Sequence, residues 1–336
     1  AAIDANAAAD DFISSDLSVS TNDFLARAIG NLSTEASISL DGNTILASAG
    51  VVNSQTVEDT TQLTATLAPS GGNSAIITAD AGGGDVTSSS IDVDSNTFDA
   101  RVWGNLADAT TNSIDVKGTT VSDAQLFQSA TQVTRAASGL TFVALDSGYA
   151  LVNDQSVEDL NTAVVTAQIT GDLINVAVGG ALVSDSDISA DKNAATTSAT
   201  LNQATNSIGI DATTLAASSG LVNVQTLADQ DGVLGSAAIL VSQNDLDITI
   251  DVFAIIGDID SSTVTASENK ELASARINLA TNTVSVKAQT QEIDGVIDSA
   301  SVNGVDSATL KDGSTHAQGE TLLVNDQSFQ TLADGG

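Results

Sequence analysis

The chain of 336 residues has no cysteine and no methionine, and only one proline, one tryptophan, one tyrosine, one histidine and seven phenylalanines. Without cysteine there can be no disulfide scaffold, no thiolate metal site and no cysteine nucleophile. The absence of methionine, together with the Ala1-Ala2 start, fits a mature chain from which a signal peptide has been removed, so export is expected. Aromatics at 3% cannot fill a thick globular interior, whereas a narrow lumen needs only the Ala, Val, Ile and Leu that abound here. With proline confined to Pro69, the remaining segments are free to donate every backbone amide. Long apolar runs are missing too. Val252-Phe253-Ala254-Ile255-Ile256 is strand-sized, far short of the ~20 residues of a membrane helix, and no membrane span is expected.

Positive charge is equally scarce, nine Lys and Arg against 43 Asp and Glu, for a net charge of −34. Such a field repels nucleic acid and anionic membrane surfaces. Nearly all the acids are Asp, which suits turns because its carboxylate bonds nearby backbone amides, so a turn-rich repeat collects Asp without functional selection. The functional alternatives are divalent-cation binding and solubility in salt, where screening acts over roughly 3 to 10 Å. Few strong helix formers are present beside abundant Ser, Thr, Asn, Asp and Gly, a balance that favours strands and turns.

What is present is repetition. Gly50-Val51-Val52-Asn53-Ser54-Gln55-Thr56 returns as Ala150 to Ser156, Gly220 to Thr226 and Leu322 to Ser328. Each copy sets Asn and Gln two positions apart, on one face of a strand. Asn53, Gln55, Asn153, Gln155, Asn223, Gln225, Asn325 and Gln327 are therefore expected to stack as hydrogen-bonded ladders. A second element, around Leu17, Ile91, Ile188 and Val264, alternates apolar with small polar residues and closes on Asn22, Asn96, Asn193 and Asn269, which reads as strand then turn. A third is clearest at Asn112 to Val116, Asn206 to Ile210 and Asn282 to Val286, with a drifted first copy at Thr34 to Leu40.

Spacing turns the repeats into an architecture. From Val19 to Asn53 is 34 residues, from Val93 to Asn153 is 60, from Ala190 to Asn223 is 33 and from Ala266 to Asn325 is 59. Short and long cycles alternate, which makes the chain a tandem duplication of about 171 residues. The expected fold is an all-β solenoid (β-helix), with residues 1–171 as its first half and 172–336 as its second. Strands of ~5 to 6 residues would give coils of roughly 20 to 26 residues, hence ~13 to 16 coils in a rod on the order of 70 Å, the long cycle carrying one extra coil. Both ends read as ordinary repeat sequence rather than caps, so end-to-end stacking through Ala1, Ala2, Ile3, Phe329, Leu332, Gly335 and Gly336 is expected, a heterologous contact that gives a fibre.

Chemistry has few footholds. His316 sits in a turn-like stretch without metal-ligand spacing, and the nine cations are scattered, so no catalytic residue is assigned. Calcium is the stronger ligand candidate. The pairs Asp92 and Asp94, Asp185 and Asp187, Asp245 and Asp247, and Asp258 and Asp260 each put two carboxylates on one strand face, which suits an oxygen-seeking cation. None forms an EF-hand loop. Trp103 and Tyr149 read as core or edge fillers rather than sugar platforms.

The Ala-Thr-Asn-Ser-Ile-x-Ile and Leu-Val-Asn-x-Gln-Ser/Thr segments resemble the repetitive surface-fibre proteins of alphaproteobacteria, including holdfast-anchor proteins that fix adhesive to the cell pole. The resemblance implies an exported, non-enzymatic fibre subunit used in attachment, with no catalytic residue and no required cofactor. Its partners would be further copies of itself and a cell-surface anchor or extracellular polysaccharide. The alternatives are a calcium-dependent adhesin segment of a longer chain and a β-helix carbohydrate-active enzyme.

Overall fold

Alternating polar and apolar residues with few helix formers give strands wherever the chain is described. The computed structural model describes residues 2–6, 11–34, 36–57, 62–68, 76–124, 127–129, 145–158, 165–170, 172–180, 182–228, 239–243, 247–254, 259–291, 305–312 and 321–329. All the helices and strands among them are strands, arranged in four successive tiers. The first tier holds β1 (Ala2–Asn6), β2 (Phe12–Ile13), β3 (Asp16–Ser18), β4 (Asp23–Ser33), β5 (Ser37–Leu46), β6 (Ala49–Val57) and β7 (Leu63–Leu67). The second holds β8 (Ile76–Asp80), β9 (Val86–Thr87), β10 (Ser90–Asp92), β11 (Thr97–Ser122), β12 (Phe127–Ser129), β13 (Leu145–Ser147), β14 (Tyr149–Glu158) and β15 (Val165–Ile169). The third holds β16 (Asp172–Gly180), β17 (Val183–Ser184), β18 (Asp187–Ser189), β19 (Ala194–Ala216), β20 (Ser219–Ala228) and β21 (Ile239–Gln243). The fourth holds β22 (Asp247–Ala254), β23 (Ile259–Asp260), β24 (Thr263–Thr265), β25 (Lys270–Gln291), β26 (Val305–Asp312) and β27 (Thr321–Phe329).

Sheets run through the tiers in order, as in β1–β8–β16–β22 and β6–β14–β20–β27. Every described pairing is parallel except that of β12 with β13. Stacked residues are far apart in sequence: Asn22 and Asn96 by 74 residues, Asn96 and Asn193 by 97, Asn193 and Asn269 by 76. One passage round the stack thus consumes several times the expected 20 to 26 residues, and the described residues form four tiers rather than 13 to 16. At ~4.8 Å per step the stack is about 15 Å deep between its outer strands, not 70 Å. The reason lies in strand length, because β11 and β19 are continuous strands of 26 and 23 residues, with one register irregularity between Ala107 and Asn112. Nor is the excess of the long cycle an extra coil. In the second tier it carries the antiparallel β12 and β13, and in the fourth it carries β26, which pairs with β25 of its own tier.

Two corners recur in every tier. Ser14, Ser88, Asp185 and Ser261 mark one, and Thr21, Ser95, Lys192 and Glu268 the other, all with φ between 46 and 60°. Left-handed backbone at a non-glycine residue costs on the order of 1 kcal/mol or more. The next residue offsets this by bonding the backbone freed at the bend. After the first corner, the Ser15 and Ser89 amides donate to the Ser89 and Ser186 hydroxyls of the following tier, each at 3.2 Å. After the second, Asn96 and Asn193 donate back to the carbonyls of Val19 and Val93 at 3.0 and 2.8 Å.

The interior is two apolar columns. One is built around Ile77, Val86, Ile91, Phe98 and Ile174, the other around Ile114, Val116, Tyr149, Leu151 and Ile208. The inner face of β6 crosses from one to the other, reading Ala49 and Val51, then Asn53 and Gln55, then Val57, all buried. Phe24 and Phe98 stack between tiers with ring centroids 4.9 Å apart and planes 8° from parallel. Gly104 has no room for a side chain, since a Cβ there would lie 2.7 Å from the Leu201 carbonyl oxygen of the next tier.

Candidate functional site

The Asn-x-Gln repeats stack in register, Asn53 on Asn153 on Asn223 on Asn325 and Gln55 on Gln155 on Gln225 on Gln327. Asn53 donates to Asn153 Oδ1 at 2.6 Å and Asn153 to Asn223 Oδ1 at 2.7 Å. The glutamine ladder donates the other way, Gln225 to Gln155 at 2.8 Å and Gln155 to Gln55 at 2.7 Å. Six of these eight expected rungs are thereby described with their side chains. Asn325 and Gln327 are placed by backbone register alone.

Two further ladders face them from the opposite wall. Asn31, Asn105, Asn202 and Asn278 each donate to the next at 2.8 Å, and Asn112, Asn206 and Asn282 do so at 2.8 and 2.7 Å. Each primary amide has two hydrogens, and the second is spent across the interior. Asn31, Asn105 and Asn278 reach the carbonyls of Thr56, Ser156 and Gln225 at 2.7, 2.8 and 3.0 Å. Gln155 and Gln225 return the favour to the carbonyls of Gln203 and Leu279 at 2.9 and 3.1 Å. Asn112 and Asn206 bond directly to the Oδ1 atoms of Asn153 and Asn223, both at 3.0 Å. The amides therefore bind tier to tier and wall to wall between the two apolar columns. At about 0.5–1.5 kcal/mol net per bond they are a large share of what fixes the register. Only the Asn-x-Gln ladder was legible in isolation. The facing ones become visible by aligning the four repeats along their length, where Asn31, Asn105, Asn202 and Asn278 agree in every copy and Asn112, Asn206 and Asn282 in three.

One rung is missing. The first-tier position in the Asn112 column is Ala36, and Asn112 Oδ1 is buried without a hydrogen-bond donor.

The two outer tiers are less covered than the middle pair. Ile77 and Ile174 are fully buried, whereas Ile3 and Ile248, their partners in the outer tiers, are only partly so. Gly30, Asn31, Leu32, Asn53, Gln55 and Thr56 line a polar concavity of about 570 Å³ in the first tier. Leu25 and Leu272, which occupy one column at opposite ends, are 61% and 60% exposed. Of the residues expected at an end-to-end contact, Ala2 and Ile3 lie on β1 and Phe329 on β27, the outermost strands of their sheets at opposite ends. Ala1, Leu332, Gly335 and Gly336 lie outside the described residues.

The carboxylate pairs are drawn into the stack. Asp92 and Asp94 both accept from the Ser189 hydroxyl, at 3.0 and 2.9 Å, and Asp94 also accepts from the Asp191 amide at 2.8 Å. Asp185 is a left-handed corner, Asp187 pairs in register with Ser90 and Thr263, and Asp260 accepts from Ser261 at 3.3 Å. Asp247 opens β22, while Asp245, Asp258 and His316 lie outside the described residues. No group of three or more His, Cys, Asp or Glu able to share an ion occurs among the described residues.

The cations are less scattered than the linear sequence suggests. Arg27 lies over the Trp103 ring, 4.9 Å from its centroid, and Trp103 Nε1 donates to Gln203 at 2.9 Å. Arg101 pairs with Asp99 at 2.6 Å, and Tyr149 is fully buried, so both lone large aromatics serve as filler or edge. Lys117 and Lys287 share one exposed column with Asp41 and Asp211, in the order Asp41, Lys117, Asp211, Lys287. No protein-family model, no curated protein and no solved structure matches this chain.

Proposed function

We propose that this chain is a β-solenoid built by tandem duplication, and that it serves as the structural subunit of an extracellular filament assembling head to tail for surface attachment or matrix. Separations of 74 and 97 residues between successive tiers together match the 171-residue sequence period, which supports the duplication. Residues 1–171 and 172–336 are then two equivalent halves of one stack.

The observation that carries the filament reading is the pair of half-covered outer tiers with matching chemistry. Ladders that pass from tier to tier end at the outermost tiers, whose strand edges are templates for another tier of the same kind. The exposed apolar positions Ile259, Val264 and Leu272 of the fourth tier continue the columns of Phe12, Leu17 and Leu25 of the first. Stacking one copy on another repeats the internal boundary between second and third tiers, and because this heterologous contact advances along the stack rather than around a ring it propagates into a fibre. The resemblance to alphaproteobacterial surface-fibre proteins points the same way, as does an acidic, cysteine-free surface suited to a salty exterior.

Electron microscopy and light scattering of the purified protein at high concentration, in salt with and without calcium, test the reading. Filaments are expected in salt, where charge repulsion is screened. A monodisperse monomer under every condition overturns it. Filaments that appear with calcium alone would instead favour a cation-dependent adhesin.

A further inference from the structure

The outer edge of β25 is occupied by a strand that fits it imperfectly. In the exposed column Asp41, Lys117, Asp211 and Lys287 the sign of charge alternates from tier to tier, and Lys287 Nζ lies 3.1 Å from Asp211 Oδ2. β26 then pairs with β25 from Thr281 to Ala288 and sets Lys311 opposite Lys287, so the alternation ends in two like charges in register. Like charges directly opposite on a sheet are destabilising.

The position β26 occupies is the one the first tier of a second copy would take. The column running Ser37, Ser113, Ser207 and Thr283 meets Ser307 of β26. By the same register Ala308, Thr309 and Leu310 stand where Ile38, Ser39 and Leu40 of an incoming β5 would stand, with the same order of apolar and hydroxyl residues. Lys311 stands where that copy's Asp41 would stand, and Asp41 against Lys287 restores the alternation. A second charge pair follows from the same docking. Lys270 ends the column that begins with Asp23, so the two meet across the junction. Exposed Leu272 and Leu25 meet likewise.

β26 is also the one described strand paired in parallel with its own tier. Thr281 and Val305 are 24 residues apart in sequence, against 70 to 102 for pairings between tiers. A short tether closes at small entropic cost and holds the edge until something better arrives. We infer that β26 is a placeholder on the docking edge of β25, exchanged for β5 of a second copy, with Asp41 opposite Lys287 favouring the incoming strand. The inference rests on the head-to-tail reading above, and it adds a mechanism by which the subunit covers part of its own edge before assembly.

Elongation of the full chain, followed by light scattering with filaments confirmed by electron microscopy, tests it in three proteins: the wild type, K311D and T309P. K311D gives β26 the opposite charge to Lys287 and should slow elongation by up to about fivefold, the effect of one cross-strand charge reversal. T309P removes a backbone donor from β26 alone and should speed elongation. Circular dichroism establishes that the strand content of both variants is kept. A wild type that elongates while both variants keep its rate overturns the placeholder and leaves the filament reading intact. So does K311D elongating faster or T309P slower than wild type. A wild type that stays monomeric while T309P elongates supports the placeholder in its strongest form, and failure of all three to elongate removes both readings.

Discussion

Replacing Asn153 by alanine tests whether the amide ladders hold the stack or only decorate it. Asn153 is fully buried and makes three amide contacts, accepting from Asn53 at 2.6 Å and Asn112 at 3.0 Å and donating to Asn223 at 2.7 Å. Alanine removes all three at about 0.5–1.5 kcal/mol each. Asn112 keeps its bond to Asn206, but the Asn53 amide is left with Gln55 at 3.5 Å as its other acceptor. A stranded buried donor costs a further ~1–3 kcal/mol, and a small cavity adds to that, for a total of roughly 3–7 kcal/mol. Asn53→Ala is the matched control, because it removes one ladder bond while Asn153 Oδ1 keeps the one from Asn112, and it should cost about 1 kcal/mol. Urea unfolding followed by the strand circular dichroism signal measures both. If N153A costs no more than N53A, the apolar columns alone fix the register and the role given to the ladders is wrong.

Three further outcomes are expected. Ala36→Asn supplies the missing donor beneath Asn112 Oδ1 and should raise stability by about 1 kcal/mol in the same urea assay, with no change in strand content. Glu271→Ala should strengthen end-to-end association in sedimentation velocity. Glu271 ends the column of Phe24, Phe98 and Ala195, so docking places its carboxylate against an aromatic ring. Burial, with the Asp123 charge adding to it, pushes the Tyr149 hydroxyl up to about 12 from 10.0. An acid held protonated in the folded state stabilises it fully below pH 10, and this contribution is lost as pH rises from 10 to about 12. Absorbance at 295 nm should show only about a tenth of Tyr149 as tyrosinate in the native protein at pH 11, against about nine-tenths for an ordinary tyrosine, and Tyr149→Phe should flatten the alkaline fall in stability.

The sequence by itself determined which residues form strands, which face each strand turns inward, and which repeats stack on which. The Asn-x-Gln spacing does this, since sliding one repeat by a residue would throw both amides to the outside while the apolar positions lost their column. Even the drifted copy at Thr34 to Leu40 fell into line, with Ile38 on Ile114 and Leu40 on Val116, because alternation is enough to hold register once its neighbours are fixed. Only the tertiary structure decided how much chain makes one passage round the stack. Local alternation reports the face of a strand but not how far it runs; the closing Asn22, Asn96, Asn193 and Asn269 mark the corner at Thr21 and its equivalents, whereas the corner at Ser14 and its equivalents carries no such signal and is held by Ser hydroxyls of the adjoining tier. The same is true of the charge column and the absent rung at Ala36. Asp41 and Lys287 carry no meaning 246 residues apart, and acquire it when residues 76 and 94 positions apart are set side by side in one column.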